Sequence, residues 1–178
     1  MLNLKEKYKK SLPELKKIFG LSNDLAVPKI EKVIVTVGTG SYKDKKKNDV
    51  VMDRLAKITG QKPAPTAAKK SIATFKLRQG DVSGAKVTLR GARAYDFLDR
   101  LINVAIPRER DFRGLKLESV DEMGNLSIGF KEHTIFPETA DEDIKDIFSF
   151  GVTVCTTAKT RDQALVLFRT LGFPFKKV

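Results

Sequence analysis

Between Gly60 and Gly91 stand seven basic residues, Lys62, Lys69, Lys70, Lys76, Arg78, Lys86 and Arg90, against one acid, Asp81. The chemistry open to such a set is neutralisation of a polyanion, with ammonium and guanidinium groups replacing condensed counterions along a phosphate backbone. Their spacing follows a strand. In Lys86-Val87-Thr88-Leu89-Arg90 the polar residues fall on one face and Val87 and Leu89 on the other. The run before it repeats the pattern, with Thr74, Lys76 and Arg78 opposite Ala73, Phe75 and Leu77. Joined by a loop from Gly80 to Gly84, the two runs predict a hairpin with one basic and one apolar face. That basic face carries no aromatic, so it is suited to backbone, 2′-hydroxyls and groove shape rather than to splayed bases.

Other chemistry finds little support. Gly38-Thr39-Gly40 is followed by no G-x-x-x-x-G-K-[ST], and a third dinucleotide-binding glycine would fall on Lys43, so the segment is expected to be a close turn. The one histidine, His133, has no second histidine or nearby cysteine with which to hold zinc, and is expected at the surface. Cys155 lies on an expected buried strand without an evident base. The acids Glu138, Asp141, Glu142 and Asp143 sit at an expected helix N-terminus, where carboxylates interact favourably with the macrodipole, or form a docking surface for a basic protein. Neither a metal nor a cofactor is expected. An RNA-modifying or nucleotide-dependent enzyme would need a metal site, phosphate loop or activated nucleophile. A free-standing RNA chaperone is the other rival, and would bind unrelated structured RNAs as well as any one of them.

The charge is divided along the chain. Of a net +12 over 178 residues, residues 1–117 carry +15, residues 118–149 carry −7 and residues 150–178 carry +4. That division points to two partners or two environments. A hydrophobic fraction of 41% is enough for a core, no apolar run suits a membrane span, and Met1-Leu2-Asn3-Leu4-Lys5 is too polar for a signal peptide. A single cysteine fits a reducing, cytoplasmic setting.

The elements that would position these residues can be read in order. A helical segment spans about residues 3–20, interrupted at Pro13, restarted by a Ser11/Glu14 capping box and stopped by Gly20. A strand over Ile30–Val37 puts Val33, Val35 and Val37 on one face. A charged loop over Lys43–Asn48 and a short helix through Val50, Val51, Leu55 and Ile58 follow, closed by Gly60. After the hairpin of 71–90, a helix through Tyr95, Leu98, Leu101, Ile102 and Ala105 ends at Pro107. Strands are expected at 126–130 and 151–157, a short helix capped by Thr139 and Glu142 between them, and a last helix capped by Thr160 and Gln163. The order is that of a split β-α-β-β-α-β core: an α+β fold, one domain over 1–178, helices on one sheet face and the other face open, with an acidic excursion over about 118–149.

Several ordered blocks carry a resemblance over nearly the whole chain: Gly60-Gln61-Lys62-Pro63, Lys70-Ser71-Ile72-Ala73, Phe75 to Gly80, Lys86 to Gly91, Pro107-Arg108, Arg110 to Leu115, Ile135-Phe136-Pro137-Glu138, Thr156-Thr157-Ala158-Lys159 and Phe173-Pro174-Phe175. The chain resembles the bacterial-type large-subunit ribosomal protein L-five family. The resemblance implies a curved antiparallel sheet backed by helices, no enzymatic activity, and 5S rRNA held on the sheet and its neighbouring loops. Family contacts fall on Thr36, where the family has asparagine, and on Gln61 and Thr88, with Lys62, Lys69, Lys70, Lys86 and Arg90 near them as phosphate contacts. Thr36 keeps a hydroxyl but lacks an amide that donates and accepts at once. The loop holding Lys76, Arg78, Gln79 and Gly80 matches the one that faces P-site tRNA, and the segment from Pro137 to Phe148 the one that meets a small-subunit protein. Implied partners are therefore 5S rRNA, large-subunit rRNA, P-site tRNA and neighbouring ribosomal proteins.

Overall fold

The computed structural model describes residues 3–40, 45–110, 112–139 and 147–176. Its strands are β1 (Ile30–Gly38), β2 (Ala64–Ala67), β3 (Val82–Arg90), β4 (Leu126–Phe130) and β5 (Phe150–Thr156). They form an antiparallel five-stranded sheet in the order β2-β3-β1-β5-β4. The helices are α1 (Leu4–Phe19), α2 (Lys45–Thr59), α3 (Ala92–Arg100) and, near the C-terminus, α4 (Arg161–Leu171). The chain is of the expected α+β class.

Strand burial alternates as a sheet with one covered face requires. Val33, Val35 and Val37 of β1 are buried while Thr36 is exposed; Val87 and Leu89 of β3 are buried while Lys86 and Arg90 are exposed. In β4 and β5 the buried residues are Leu126, Ile128, Phe130, Phe150, Val152 and Val154. Ser127 and Gly129 face outward in β4, and the half-buried Gly151, Thr153 and Cys155 do so in β5.

The chain clusters into two compact units. The first comprises Met1–Val33, Arg90–Ile128 and Thr153–Val178. Here α1 packs against α3 and α4. Asn3 caps α1 by accepting from the Lys5 N–H, and Gly20, at φ 64°, ends it. The helix runs through Pro13 without a break, contrary to the expected restart. Ser11 is not a cap: its hydroxyl donates to the Tyr8 carbonyl at 2.9 Å. An interior proline costs about 3 kcal/mol, and burial of Leu4 and Leu15, each 0% exposed, offsets it at roughly 1.5–3 kcal/mol apiece. Downstream, α3 widens into one π turn over Leu101–Ala105, where the Ile106 N–H reaches the Leu101 carbonyl, and a last turn carries the helix one residue past Pro107 to Arg108. At α4 the expected cap is present, Thr160 accepting from the Gln163 N–H and the Gln163 side chain accepting from the Lys159 N–H.

The second unit comprises Ile34–Leu89 and Gly129–Val152. It corrects three expectations. First, α2 begins at Lys45, so the lysine run Lys45–Lys47 belongs to a helix rather than to a loop. Second, the partner of β3 is not the run from Thr74 to Arg78 but β2, with Ala64 opposite Lys86, Pro65 opposite Ala85 and Thr66 opposite Gly84. Ala73–Phe75 is a single 3-10 turn, and Phe75, expected on the apolar side of a strand, is 71% exposed. The alternation there is genuine in sequence, but β2 already occupies that edge of β3. Pro65 is tolerated because β2 is an edge strand. Third, His133 is not at the surface. It is 1% exposed, its ring stacked on Phe148 at 4.2 Å between centroids, with Nδ1 accepting from the Phe148 N–H at 3.3 Å. The short helix expected after Thr139, with Asp141, Glu142 and Asp143, lies outside the described residues.

Candidate nucleic-acid interface

In the second unit the open side of the sheet brings together Thr36, Gln61, Lys86 and Thr88. Gly60, at φ 68°, ends α2 and turns the chain back toward β3, a conformation that favours glycine. The Thr59 hydroxyl donates to the Leu55 carbonyl at 2.7 Å and accepts from the Gln61 N–H at 3.4 Å, which fixes the turn. Gln61 Nε2 then donates to the Thr88 carbonyl at 3.3 Å. Two of the three residues that the resemblance singles out are thus held against each other, 27 positions apart in sequence. Among the described residues the Gln61 side-chain oxygen and the Thr88 hydroxyl bond to nothing. The bonded pair therefore keeps one side-chain acceptor and one donor-acceptor in reserve, both on half-buried residues, with the exposed Lys86 two residues along β3.

Thr36 is exposed on β1, its hydroxyl directed at the Gly151 carbonyl across 3.5 Å, the outer limit of a hydrogen bond. The hydroxyls of Ser127 and Thr153 lie 3.3 Å apart in the first unit. In the second unit Gly129 stands exposed on β4, the strand next to the β5 that carries Gly151. A Cβ on Gly129 would meet nothing within 4 Å and its φ is not in the left-handed region, so this chain's own packing does not demand glycine there. Thr36, Gly151 and Gly129 form a stretch of sheet surface with almost no side chain standing above the backbone, which lets another molecule approach closely. The sequence signal was present in Leu126-Ser127-Ile128-Gly129-Phe130, whose outward positions are the small ones.

The remaining candidates are placed elsewhere. Lys62 is exposed just before β2. Lys69, Lys70, Lys76, Arg78, Gln79 and Gly80 are all exposed in the loop of residues 68–81 between β2 and β3. Arg90 belongs to the first unit and pairs with Glu31 at 3.7 Å, both side chains being at least half exposed. Such a pair is worth at most about 1 kcal/mol and leaves the guanidinium available to phosphate. Glu138 is exposed on the turn Pro137–Thr139, which packs against α2.

The groups considered for catalysis gain nothing from the structure. Burial pushes the Cys155 thiol up, with Lys32 opposing it less strongly, the reverse of what a nucleophile needs. No group of three or more His, Cys, Asp or Glu among the described residues could hold a metal ion. None of the described helices is long and apolar enough to cross a membrane.

Two family models match the chain: ribosomal protein L5 over residues 23–78, and the C-terminus of the same ribosomal family over residues 82–175. Three similar proteins, each named large ribosomal subunit protein uL5, come from Ureaplasma urealyticum serovar 10, Rubrobacter xylanophilus and Syntrophomonas wolfei. The first is 48% identical, covering 100% of this chain and 98% of its own length. The second is 46% identical, covering 99% of both chains. The third is 49% identical, covering 99% of this chain and 100% of its own. The matched models divide the chain between β2 and β3, at the end of the loop of residues 68–81, and together they take in the turn carrying Gln61, the strand carrying Thr88 and the outward glycines of β4 and β5. The chain belongs to the ribosomal protein L5 family.

Proposed function

We propose that this chain is a structural, non-enzymatic constituent of the large ribosomal subunit that holds 5S rRNA on the open side of its sheet. The observation that carries the reading is the Gln61–Thr88 pair, a bonded amide and backbone carbonyl whose side-chain oxygens bond to nothing among the described residues, close along β3 to Lys86. The pair offers both hydrogen-bonding senses to a 2′-hydroxyl or base edge. The adjacent Thr36–Gly151–Gly129 surface gives a sugar-phosphate backbone room to lie flat, while Lys62, Lys69, Lys70, Lys86 and Arg90 supply charge. Through the loop carrying Lys76, Arg78, Gln79 and Gly80 the chain meets P-site tRNA. Through the acidic segment around Glu138, Asp141, Glu142 and Asp143 it meets a small-subunit protein, and it works in the cytoplasm alongside large-subunit rRNA and its neighbouring proteins.

The test is a binding titration with 5S rRNA against tRNA and a scrambled RNA of equal length. Wild type prefers 5S rRNA by a wide margin at physiological salt, and Thr88→Ala costs roughly 1–3 kcal/mol of that affinity through the lost hydrogen bond. If Thr88→Ala binds 5S rRNA as tightly as wild type, the assigned face is wrong. If wild type binds all three RNAs alike, the free-standing chaperone is the better description.

A further inference from the structure

The loop of residues 68–81 is built to hold an aromatic ring in water. At its base the Ala68 N–H donates to the Asp81 carbonyl at 2.8 Å and the Gly80 N–H to the Ala68 carbonyl at 3.0 Å. Further out Ile72 and Leu77 exchange backbone hydrogen bonds of 2.9 and 3.2 Å. The Ser71 hydroxyl accepts from the Gln79 N–H, and the carboxylate of Asp81, the only acid of the loop, accepts from the Arg78 N–H, each at 2.9 Å. Beyond that neck the turn Ala73–Phe75 leads into Lys76 at φ 53°, the one non-glycine residue with positive φ among the described residues. Left-handed backbone in a lysine costs free energy, and no packing of this exposed side chain compensates for it. The result is Phe75 at the tip, 71% exposed and without a ring contact among the described residues. Around it in sequence stand Lys69, Lys70, Lys76 and Arg78, all exposed.

We infer that Phe75 is a stacking residue for an unstacked nucleobase of RNA, with the flanking cations holding the phosphates on either side. The inference rests on the RNA-binding reading above and reverses the expectation that this region lacks an aromatic to stack on. An apolar ring alone would suit a protein or lipid partner equally. Four cations and one acid already committed to its own backbone favour a polyanion, and a ring whose backbone is held on a short hydrogen-bonded neck leaves only its side-chain rotation to be lost when a base lies against it. A paired base inside a duplex has both its faces covered by its neighbours and is held in its pair, so the ring takes a base that is already splayed out of a helix.

The chain has no tryptophan, so Phe75→Trp creates a sole reporter at the tip. The full-length variant is titrated with a single-stranded RNA oligonucleotide, a blunt RNA duplex of the same length, tRNA and 5S rRNA, while anisotropy of labelled RNA follows binding independently. The expected result is saturable quenching of the introduced indole by the single strand and by tRNA but not by the duplex. Phe75→Leu, equally exposed and so folded to the same thermal midpoint, should bind the single strand about 5- to 150-fold more weakly than Phe75→Trp. RNA bound without quenching overturns the inference, as do equal affinity of the leucine variant and failure of the wild type to bind single strands at low salt. The 5S rRNA arm separates the two readings. Undiminished 5S rRNA binding with an unquenched indole removes only the stacking role, whereas a wild type indifferent to 5S rRNA removes the proposed function.

Discussion

Two glycines of the second unit separate what the fold needs from what a ligand needs. A Cβ on Gly84 would lie 2.5 Å from the Val37 carbonyl oxygen and 2.9 Å from Thr66 Oγ1, so Gly84→Ala must push the β1 backbone away from β3 and turn the Thr66 hydroxyl aside. It is expected to destabilise by roughly 1–3 kcal/mol, visible as a lower thermal midpoint. Gly129 has open space above it, so Gly129→Ala should leave the midpoint unchanged or raise stability by up to about 1 kcal/mol. A methyl group there still raises the floor on which RNA is proposed to lie, so the same variant should bind 5S rRNA more weakly than wild type. Unchanged binding would remove Gly129 from the interface. Single residues were legible in sequence to the extent that alternation determines them. Thr36, Lys86, Thr88 and Arg90 all stand on the outward side, as their spacing says. Phe75 was not legible, because alternation records which residues would share a face but not whether a strand edge is vacant to receive them. His133 was missed for a related reason, since one imidazole with a backbone donor and a phenyl ring beside it can be buried without any signature in its neighbours.

Elements were read best where the signal is local and worst where distant packing decides. The Thr160/Gln163 cap of α4 and the turn at Gly60 depend on a few adjacent residues and are where the sequence puts them. The Pro13 interruption is also a local rule, but the apolar face of α1 overrides it. That face includes Tyr8, whose hydroxyl donates to the Pro28 carbonyl at 3.2 Å and whose ring lies 6.4 Å from that of Tyr95. Burial, and secondarily the neighbouring Tyr95, push the Tyr8 phenol from 10.0 up to about 12. Burial raises Tyr95 too, opposed by a hydrogen bond with the Ile30 backbone. A folded pKa above the unfolded one means that the folded state holds its proton more tightly. The stabilising contribution is therefore complete below pH 10.0 and is lost as pH rises through about 12. Thermal midpoints followed upward from neutral pH should hold steady and then fall across that window. Tyr8→Phe should start lower, having lost the bond to Pro28, and fall less steeply. A tyrosinate absorbance titration of the folded chain should show two phenols, Tyr8 and Tyr95, lagging behind the ordinary value, Tyr8 at about 12. If all three tyrosines titrate together near 10.0, the buried contact does not exist in solution.

At the scale of the whole molecule, the charge division is the property the sequence displayed without any knowledge of the fold. Residues 1–117 carry +15 in a chain of net +12, so electrostatic attraction to RNA is concentrated in the part of the chain that also carries Gln61, Thr88 and Phe75. Charge and hydrogen bonding should separate in a salt titration. Each phosphate neutralised releases condensed counterions, so the slope of log affinity against log salt counts ion contacts, at about 0.7–0.9 per contact. Lys86→Gln should therefore lower the 5S rRNA slope by nearly one and weaken binding to unrelated RNAs by the same factor. Thr88→Ala should shift the line without changing its slope, because the hydroxyl displaces no counterion. Arg90 is a harder case, since Glu31 already competes for its guanidinium at 3.7 Å. With that carboxylate removed, Glu31→Gln should steepen the slope and strengthen binding, most of all at low salt where the RNA field is least screened. A Glu31→Gln variant with the wild-type slope would mean that Arg90 stays with its carboxylate partner in the complex. In that case the phosphate contacts belong to the second unit's lysines alone.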